Sequence, residues 1–129
     1  MGVSTKIFSV ETSSAVAEVN NYVAQFRDLL IHIGQSRDGP EMREKIRRMR
    51  RLGIDSCRHA VHMLLQQVRS DISEGIPVDF SPQLVLLFFC TQLLLRELRK
   101  CRRLVMTMPI DMASYYGNPS KQSSVKIIL

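Results

Sequence analysis

One apolar stripe runs through the middle of the sequence and limits the fold more than any other feature. No proline occurs between Pro40 and Pro77, and apolar or small residues recur there at spacings of three and four. This spacing places them on one face of an α-helix. The stripe consists of Met42, Ile46, Met49, Gly53, Cys57, Val61, Leu64, Val68 and Ile72. It predicts a helix over about residues 40–73, roughly 50 Å long at 1.5 Å per residue.

The start and the middle of this helix carry further signals. Asp38 and Glu41 have capping-box spacing, and Pro40 suits the first helical turn, where its missing N–H costs nothing. Gly53 costs about 1 kcal/mol relative to alanine inside a helix. Because Gly53 lies on the stripe, it indicates either the close approach of a neighbouring helix or a local kink.

Two more stripes predict two more helices. Gly34 suits a left-handed end of the first helix, over about residues 14–33, and Pro82 suits the first turn of the third, over about 82–107. The stripes are Val16, Val19, Val23, Phe26, Leu30 and Ile33, then Leu84, Leu87, Thr91, Leu94, Leu98, Cys101 and Val105. Three such helices with short loops favour an all-α, antiparallel, up-down-up bundle over residues 13–108. Residues 1–12 are predicted to form a flexible arm and 109–129 a flexible tail.

Composition places the chain among single-domain intracellular proteins. It has 129 residues, a formal net charge of +6 and three cysteines at wide spacing, which suits a reducing compartment such as the cytoplasm. The longest apolar run is much shorter than the roughly 20 residues that cross a membrane. The positive charge indicates attraction to acidic protein, phospholipid or nucleic-acid surfaces without choosing among them.

The sequence offers no catalytic constellation. No Gly-x-Ser-x-Gly motif and no glycine-rich phosphate loop occurs. A zinc site needs three or four converging ligands, whereas Cys57 lies on the apolar stripe, His59 and His62 flank it, and no other histidine or cysteine lies close in sequence. We therefore predict a protein that is not an enzyme and has no metal, no cofactor and no small-molecule substrate. Aromatic residues are not interleaved with the arginines, so nucleic acid is not an expected partner.

Basic residues gather in two clusters that an antiparallel bundle would bring to one end. One cluster occupies the first half of the second helix and the other the last part of the third. They are either a solvated face whose arginine stems cover the edge of the core or a docking surface for an anionic partner. The predicted basic docking end comprises Arg43, Arg47, Arg48, Arg50, Arg51, Lys100 and Arg102.

The face of the third helix opposite its stripe is apolar first and basic later. An apolar outer face must be covered, either by the arm or the tail of the same chain or by a partner protein. Under the second interpretation Phe89 is an anchor and the arginines are a polar rim. The predicted partner-binding residues are Val85, Phe88, Phe89, Arg96, Arg99 and Arg103.

Residues 19–34, VNNYVAQFRDLLIHIG, resemble the first helix of the binding and anchor proteins for neuronal RGS (regulator of G-protein signalling) proteins. An aromatic, a basic and an acidic residue, Phe26, Arg27 and Asp28, precede an apolar run that ends in glycine, as in that family. Residues 42–60 are similar to the family's basic second helix, and the leucine-rich third helix with its cysteines is similar as well. The resemblance covers about residues 18–108.

The resemblance implies an adaptor with a syntaxin-like amino-terminal bundle. Such adaptors bind a DEP-containing RGS protein in complex with Gβ, stabilise or localise it, and so modulate G-protein-coupled receptor signalling. The resemblance also implies that the protein is cytoplasmic and is held peripherally at the plasma membrane through its partner. The nucleus is a further location that the family resemblance implies. Family members continue into a carboxy-terminal membrane anchor that this sequence does not show, so anchoring is not carried over. The alternatives are a syntaxin-like trafficking bundle and a basic helical module on anionic phospholipid or RNA.

Overall fold

The computed structural model describes residues 2–76 and 82–117, with side chains from residue 10 onward. Three long helices form a bundle: α1 (Gly2–Leu30), α2 (Pro40–Ser73) and α3 (Pro82–Thr107). A short helix, α4 (Ala113–Tyr116), follows. The described residues contain no β-strand, and the predicted all-α three-helix bundle is confirmed.

Two apolar clusters fill the core and establish the direction of the helices. The first joins the middle of α1 to the second half of α2 and the first half of α3, with Val16, Leu64 and Leu87 among its members. The second joins the end of α1 to the start of α2 and the end of α3, through Phe26, Leu30, Ile33, Ile46 and Cys101. Neighbouring helices along the chain therefore run antiparallel, up, down and up.

Helix α1 begins eleven or more residues earlier than the sequence indicates. It starts at Gly2, whereas the sequence pattern predicts a start near residue 14 and a flexible arm over residues 1–12. The buried stripe continues one turn further, because Thr12 is fully buried four residues before Val16. The pattern of apolar residues does not predict this turn, because the buried residue in it is a threonine. No proline interrupts residues 2–12, so the backbone can continue as a helix.

The buried faces of α2 and α3 are rotated relative to the predicted stripes. In α2, Ser56 and Ala60 are buried while Val61 is exposed; in α3, Cys90 and Glu97 are buried while Val105 is exposed. Predicted members Leu84 and Ile72 are exposed as well. The reason is that α1 lies between the two other helices and makes most of the contacts with each. Both helices therefore turn their small and medium-sized residues toward α1, which leaves their facing edges partly open.

Gly53 lies at one point where α2 and α3 approach each other. A Cβ atom on Gly53 would lie 3.4 Å from the Leu94 Cδ1 atom, and α2 is continuous through this position. Of the two explanations for this glycine, the approach of a neighbouring helix is therefore the one observed.

The loop between α1 and α2 is organised by an aspartate rather than by a capping box. Gly34 has the expected left-handed backbone, with φ of +80°. Asp38 accepts hydrogen bonds from the Gly34 backbone N–H at 2.8 Å and from Arg43, so its side chain does not cap α2. The N-cap residue, which immediately precedes α2, is Gly39, and it has no side chain that could form a capping hydrogen bond. Pro40 then begins the helix, as predicted. The predicted capping box of Asp38 and Glu41 is wrong because Arg43 provides a stronger, charged donor for the carboxylate.

The chain after α3 returns to the bundle over residues 109–117, part of the predicted flexible tail. α4 sits beside the start of α2, where the Tyr116 hydroxyl donates a hydrogen bond to Glu44 at 2.8 Å. The Arg43 guanidinium donates to the Met108 carbonyl oxygen. These contacts join the end of α3 to the start of α2. The remainder of the predicted tail, residues 118–129, lies outside the described residues.

Candidate partner-binding surfaces

The antiparallel arrangement brings basic side chains of α2 and α3 to the same end of the bundle. Arg50 and Arg51 of α2 and Arg102 of α3 line one surface cleft of about 420 Å³. Arg48, one helical turn earlier, is also exposed. Exposed guanidinium groups on two adjacent helices form a positively charged surface that attracts anionic groups.

Arg43 does not fit the predicted docking role. Its side chain is only 7% exposed and forms an ion pair with Asp38, whose side chain is 10% exposed, at 2.8 Å. A second guanidinium nitrogen, Nη2, donates to the other carboxylate oxygen at 2.9 Å. The hydrogen bond from Arg43 holds the pKa of Asp38 at about 2, well below its usual value of 3.8. With its donors directed at Asp38 and at the Met108 carbonyl, Arg43 stabilises the fold and is not available to a partner.

Two further members of the predicted basic end are partly engaged within the chain. The Arg47 guanidinium lies over the Tyr116 ring, 5.4 Å from its centroid, which is within the range of a cation–π contact. Burial, followed by the hydrogen bond to Glu44, raises the pKa of Tyr116, so its hydroxyl remains a donor at neutral pH. Lys100 lies 3.6 Å from the buried carboxylate of Glu97. The most available charges at this end are therefore those of Arg48, Arg50 and Arg102, together with Arg51, whose Nε atom lies 3.7 Å from an oxygen of exposed Asp55.

A small cavity of about 180 Å³ lies between α4 and the two helices beneath it. Cys101 is one of its lining residues, and burial raises the pKa of this thiol. The cavity was not anticipated from the sequence, because the segment after Thr107 carries no periodic pattern. In the described part of the chain, no group of three or more histidine, cysteine or acidic side chains could hold a metal ion.

The outer face of α3 exposes its apolar residues to an unusual degree. Val85, Phe88 and Phe89 are 42%, 59% and 58% exposed, and the two phenylalanine rings meet edge to face with centroids 5.8 Å apart. Further along the same face, Arg96, Arg99 and Arg103 are all exposed. The structure therefore brings all six predicted partner-binding residues to one solvent-facing side of the helix.

A third surface, which the sequence pattern did not predict, lies between the facing edges of α2 and α3. It is a groove of about 380 Å³ lined mainly by apolar side chains, including Ile54, Val61, Leu95 and Leu98. The signal for it was present in the sequence. Ile54 and Leu95 are apolar residues beside the predicted stripes, and a stripe widened by them has more apolar surface than one neighbouring helix can cover.

The fold defines a class of proteins, the antiparallel three-helix bundle domains, and here one helix of the bundle exposes an apolar face. A family model described as the R9BP syntaxin-like domain matches residues 9–116, and the chain belongs to this family. This match confirms the resemblance noted in the sequence and places the chain in a family of non-enzymatic adaptors. Searches of curated proteins and of solved structures give no significant match. No helix within the described ranges is both long and apolar enough to cross a membrane.

Proposed function

We propose that the chain is an adaptor that binds a DEP-containing RGS protein in complex with Gβ and thereby modulates G-protein-coupled receptor signalling. Membership of the R9BP syntaxin-like family is the observation that carries this proposal. Under it the protein acts in the cytoplasm and reaches the plasma membrane as a peripheral component, through its partner.

The outer face of α3 is the proposed contact surface. Adjacent aromatic residues on a rigid helix are typical interface anchors, because they bury a large apolar area at a small cost in side-chain entropy. Phe88 and Phe89 are more than half exposed, so the bundle does not need them for its core. The arginines that follow, among them Arg96, supply a charged rim that selects an acidic partner and accelerates association.

Co-precipitation with a purified DEP-containing RGS–Gβ complex tests the proposal. Phe89→Asp and Arg96→Glu should each reduce capture by about tenfold, the effect of losing about 1.4 kcal/mol of binding free energy. Val10→Asp is the matched control for the first variant, because Val10 is 68% exposed on α1, a different helix. Far-UV circular dichroism establishes that all variants remain folded. Full capture of both α3 variants would refute the surface assignment, and no capture of the unaltered chain would refute the function.

The basic end favours a second candidate function, attachment to anionic phospholipid. Four exposed arginines, Arg48, Arg50, Arg51 and Arg102, project from one end of the bundle. Each basic residue near an anionic surface contributes about 1 kcal/mol at physiological ionic strength. Sedimentation with phosphatidylserine vesicles should therefore capture the protein at low salt and lose it at moderate salt. Binding that persists at high salt, or that occurs equally on neutral vesicles, would exclude this candidate.

A further inference from the structure

Arginines of α3 surround an exposed methionine at the basic end of the bundle. A cleft of about 580 Å³ is lined by Arg99, Arg102, Arg103 and Met106. Each of these four residues lies three or four positions from two of the others, so their side chains form one patch on the helix surface. Arg102 and Met106 also line the cleft that contains Arg50 and Arg51 of α2. The two clefts therefore adjoin along Arg102 and Met106.

The chain supplies little negative charge to these two clefts. Of their five arginines, Arg51 lies 3.7 Å from exposed Asp55, and the other four form no ion pair within the described residues. The acidic residues nearest in sequence to the α3 arginines are Glu97, which is buried, and Asp111. The Asp111 carboxylate accepts a hydrogen bond from the Ala113 backbone N–H. Because like charges at these spacings destabilise a helix, an anionic ligand would relieve a repulsion that the chain leaves in place.

The helix dipole does not account for the α3 arginines. Basic side chains stabilise the carboxy-terminal end of a helix mainly from its last turn. The last turn of α3 contains no basic residue, and Arg102 and Arg103 precede it. These arginines therefore form a charged surface whose stabilising partner lies outside the helix.

The number of guanidinium groups favours a ligand with several phosphate groups. One guanidinium donates two parallel hydrogen bonds to a single phosphate, so one phosphate engages about two arginines. The four arginines that form no ion pair match two or more phosphate groups on one ligand. No described aromatic side chain lines either cleft, so the bases of a single-stranded nucleic acid would find no stacking surface.

Exposed apolar side chains beside the arginines favour a lipid over a soluble ligand. Met106 is 70% exposed and Val105 is 38% exposed. At a membrane such side chains enter the boundary between headgroups and acyl chains, while the arginines remain among the headgroups. A soluble polyphosphate would leave both apolar side chains in water.

We propose that the two clefts joined by Arg102 and Met106 bind the headgroup of a membrane lipid that carries two or more phosphate groups, with Met106 inserted between neighbouring lipids. The proposal rests on the phospholipid candidate function and specifies its lipid class and its site. Phe89 lies about 25 Å from Met106 along α3, at 1.5 Å per residue. The aromatic part of the outer face therefore remains open to a partner protein while the end of α3 contacts the membrane.

Sedimentation of the full chain with vesicles at physiological salt tests the lipid class. One preparation is phosphatidylcholine alone, a second adds phosphatidylinositol bisphosphate, and a third adds phosphatidylserine to the same surface charge. We expect about tenfold tighter binding to the bisphosphate vesicles than to the serine vesicles, because only the first ligand presents several phosphates to one site. Vesicles of phosphatidylcholine alone should capture no protein.

Two matched variants test the site. Arg102→Gln should weaken binding to the bisphosphate vesicles about fivefold, which equals about 1 kcal/mol, because Arg102 lines both clefts. Arg69→Gln makes the same change in net charge at an exposed position of α2. It lies about 28 Å along the helix from Arg50, well beyond the Debye length of about 8 Å, and should leave binding unchanged. Circular dichroism establishes that both variants fold.

Insertion of the methionine has its own readout. The chain contains no tryptophan, so Met106→Trp introduces a single fluorescent probe. Its emission should shift to shorter wavelength with the bisphosphate vesicles and stay unchanged with the water-soluble inositol trisphosphate headgroup. Val10→Trp, at an exposed position near the start of α1 and the opposite end of the bundle, is the control and should show no shift.

Four results would overturn the proposal. Equal binding to bisphosphate and serine vesicles would refute the lipid class and leave the general phospholipid candidate standing. An equal loss in Arg102→Gln and Arg69→Gln would mean that net charge, and not these clefts, determines binding. A soluble headgroup that binds as tightly as the vesicles, with no shift from Met106→Trp, would assign the clefts to a soluble polyphosphate. No binding to either charged vesicle would refute this proposal and the phospholipid candidate together.

Discussion

We expect the substitution Asp38→Asn to lower the free energy of unfolding by an amount that depends on pH. The Asp38 carboxylate accepts hydrogen bonds from the Gly34 backbone and from Arg43, which in turn donates to the Met108 carbonyl oxygen. This clamp joins the α1–α2 loop to the end of α3. The lowering of the Asp38 pKa from 3.8 to about 2 corresponds to about 2 kcal/mol of folding free energy.

Because the pKa of Asp38 is lowered in the folded state, protonation of Asp38 at low pH destabilises the fold. Since the folded state holds the pKa of Asp38 below its unfolded value, the carboxylate stabilises the fold fully above about pH 4. This stabilisation is lost as the pH falls through about 2, where the folded carboxyl takes up a proton. Asp38→Asn keeps the shape of the side chain and removes both the charge and its titration.

Urea unfolding followed by circular dichroism measures the effect. At pH 7 we expect Asp38→Asn to be about 2 kcal/mol less stable than the unaltered chain, and at pH 2.5 the deficit should shrink to about 1 kcal/mol or less. Asp55→Asn is the control, because it removes an exposed ion pair with Arg51 and should change stability by less than about 1 kcal/mol. An Asp38→Asn deficit that is equal at both pH values, or absent at pH 7, would refute the reasoning.

Three further substitutions test the packing by thermal or urea unfolding. Gly34→Ala should cost about 1 to 2 kcal/mol, because φ is +80° and the new Cβ would lie 2.5 Å from the Met108 Sδ atom; an unchanged stability would contradict the left-handed turn. Gly53→Ala should stabilise by up to about 1 kcal/mol, since the space beside it allows ordinary contact, and a loss would mean that the helices lie closer. Tyr116→Phe should cost about 1 to 2 kcal/mol by removing the hydroxyl donor from buried Glu44, and an unchanged stability would contradict the packing of α4 against α2.

The long-range architecture could be predicted because it depends on local signals. The spacing of apolar residues, the proline in the first turn of α2 and α3, and the glycine after α1 each act within a few residues of where they occur. These signals predict the second helix over about residues 40–73 and the third over about 82–107. The structure has these helices at Pro40–Ser73 and Pro82–Thr107. The two arginine clusters lie at one end of the bundle because α2 and α3 run antiparallel.

The details that the sequence did not reveal depend on contacts between distant residues. Arg43 belongs to a cluster of similar arginines, and its burial depends on Asp38 and on a backbone carbonyl 65 residues away. Thr12 and Glu97 are polar residues on the buried face, where a pattern of apolar residues does not register them. The rotation of α2 and α3 toward α1 depends on which helix occupies the centre, and periodicity alone does not determine that. The groove between α2 and α3 is a direct consequence of this rotation.

The most direct measurement is a calorimetric titration of a purified DEP-containing RGS–Gβ complex into the full-length chain at physiological salt. An adaptor that docks through the exposed aromatic face of α3 predicts saturable binding with one complex per chain. Affinity should be unchanged for Val10→Asp and at least tenfold lower for Phe89→Asp, which corresponds to about 1.4 kcal/mol or more. Absence of binding by the unaltered chain, or equal affinity of Phe89→Asp, would contradict the account.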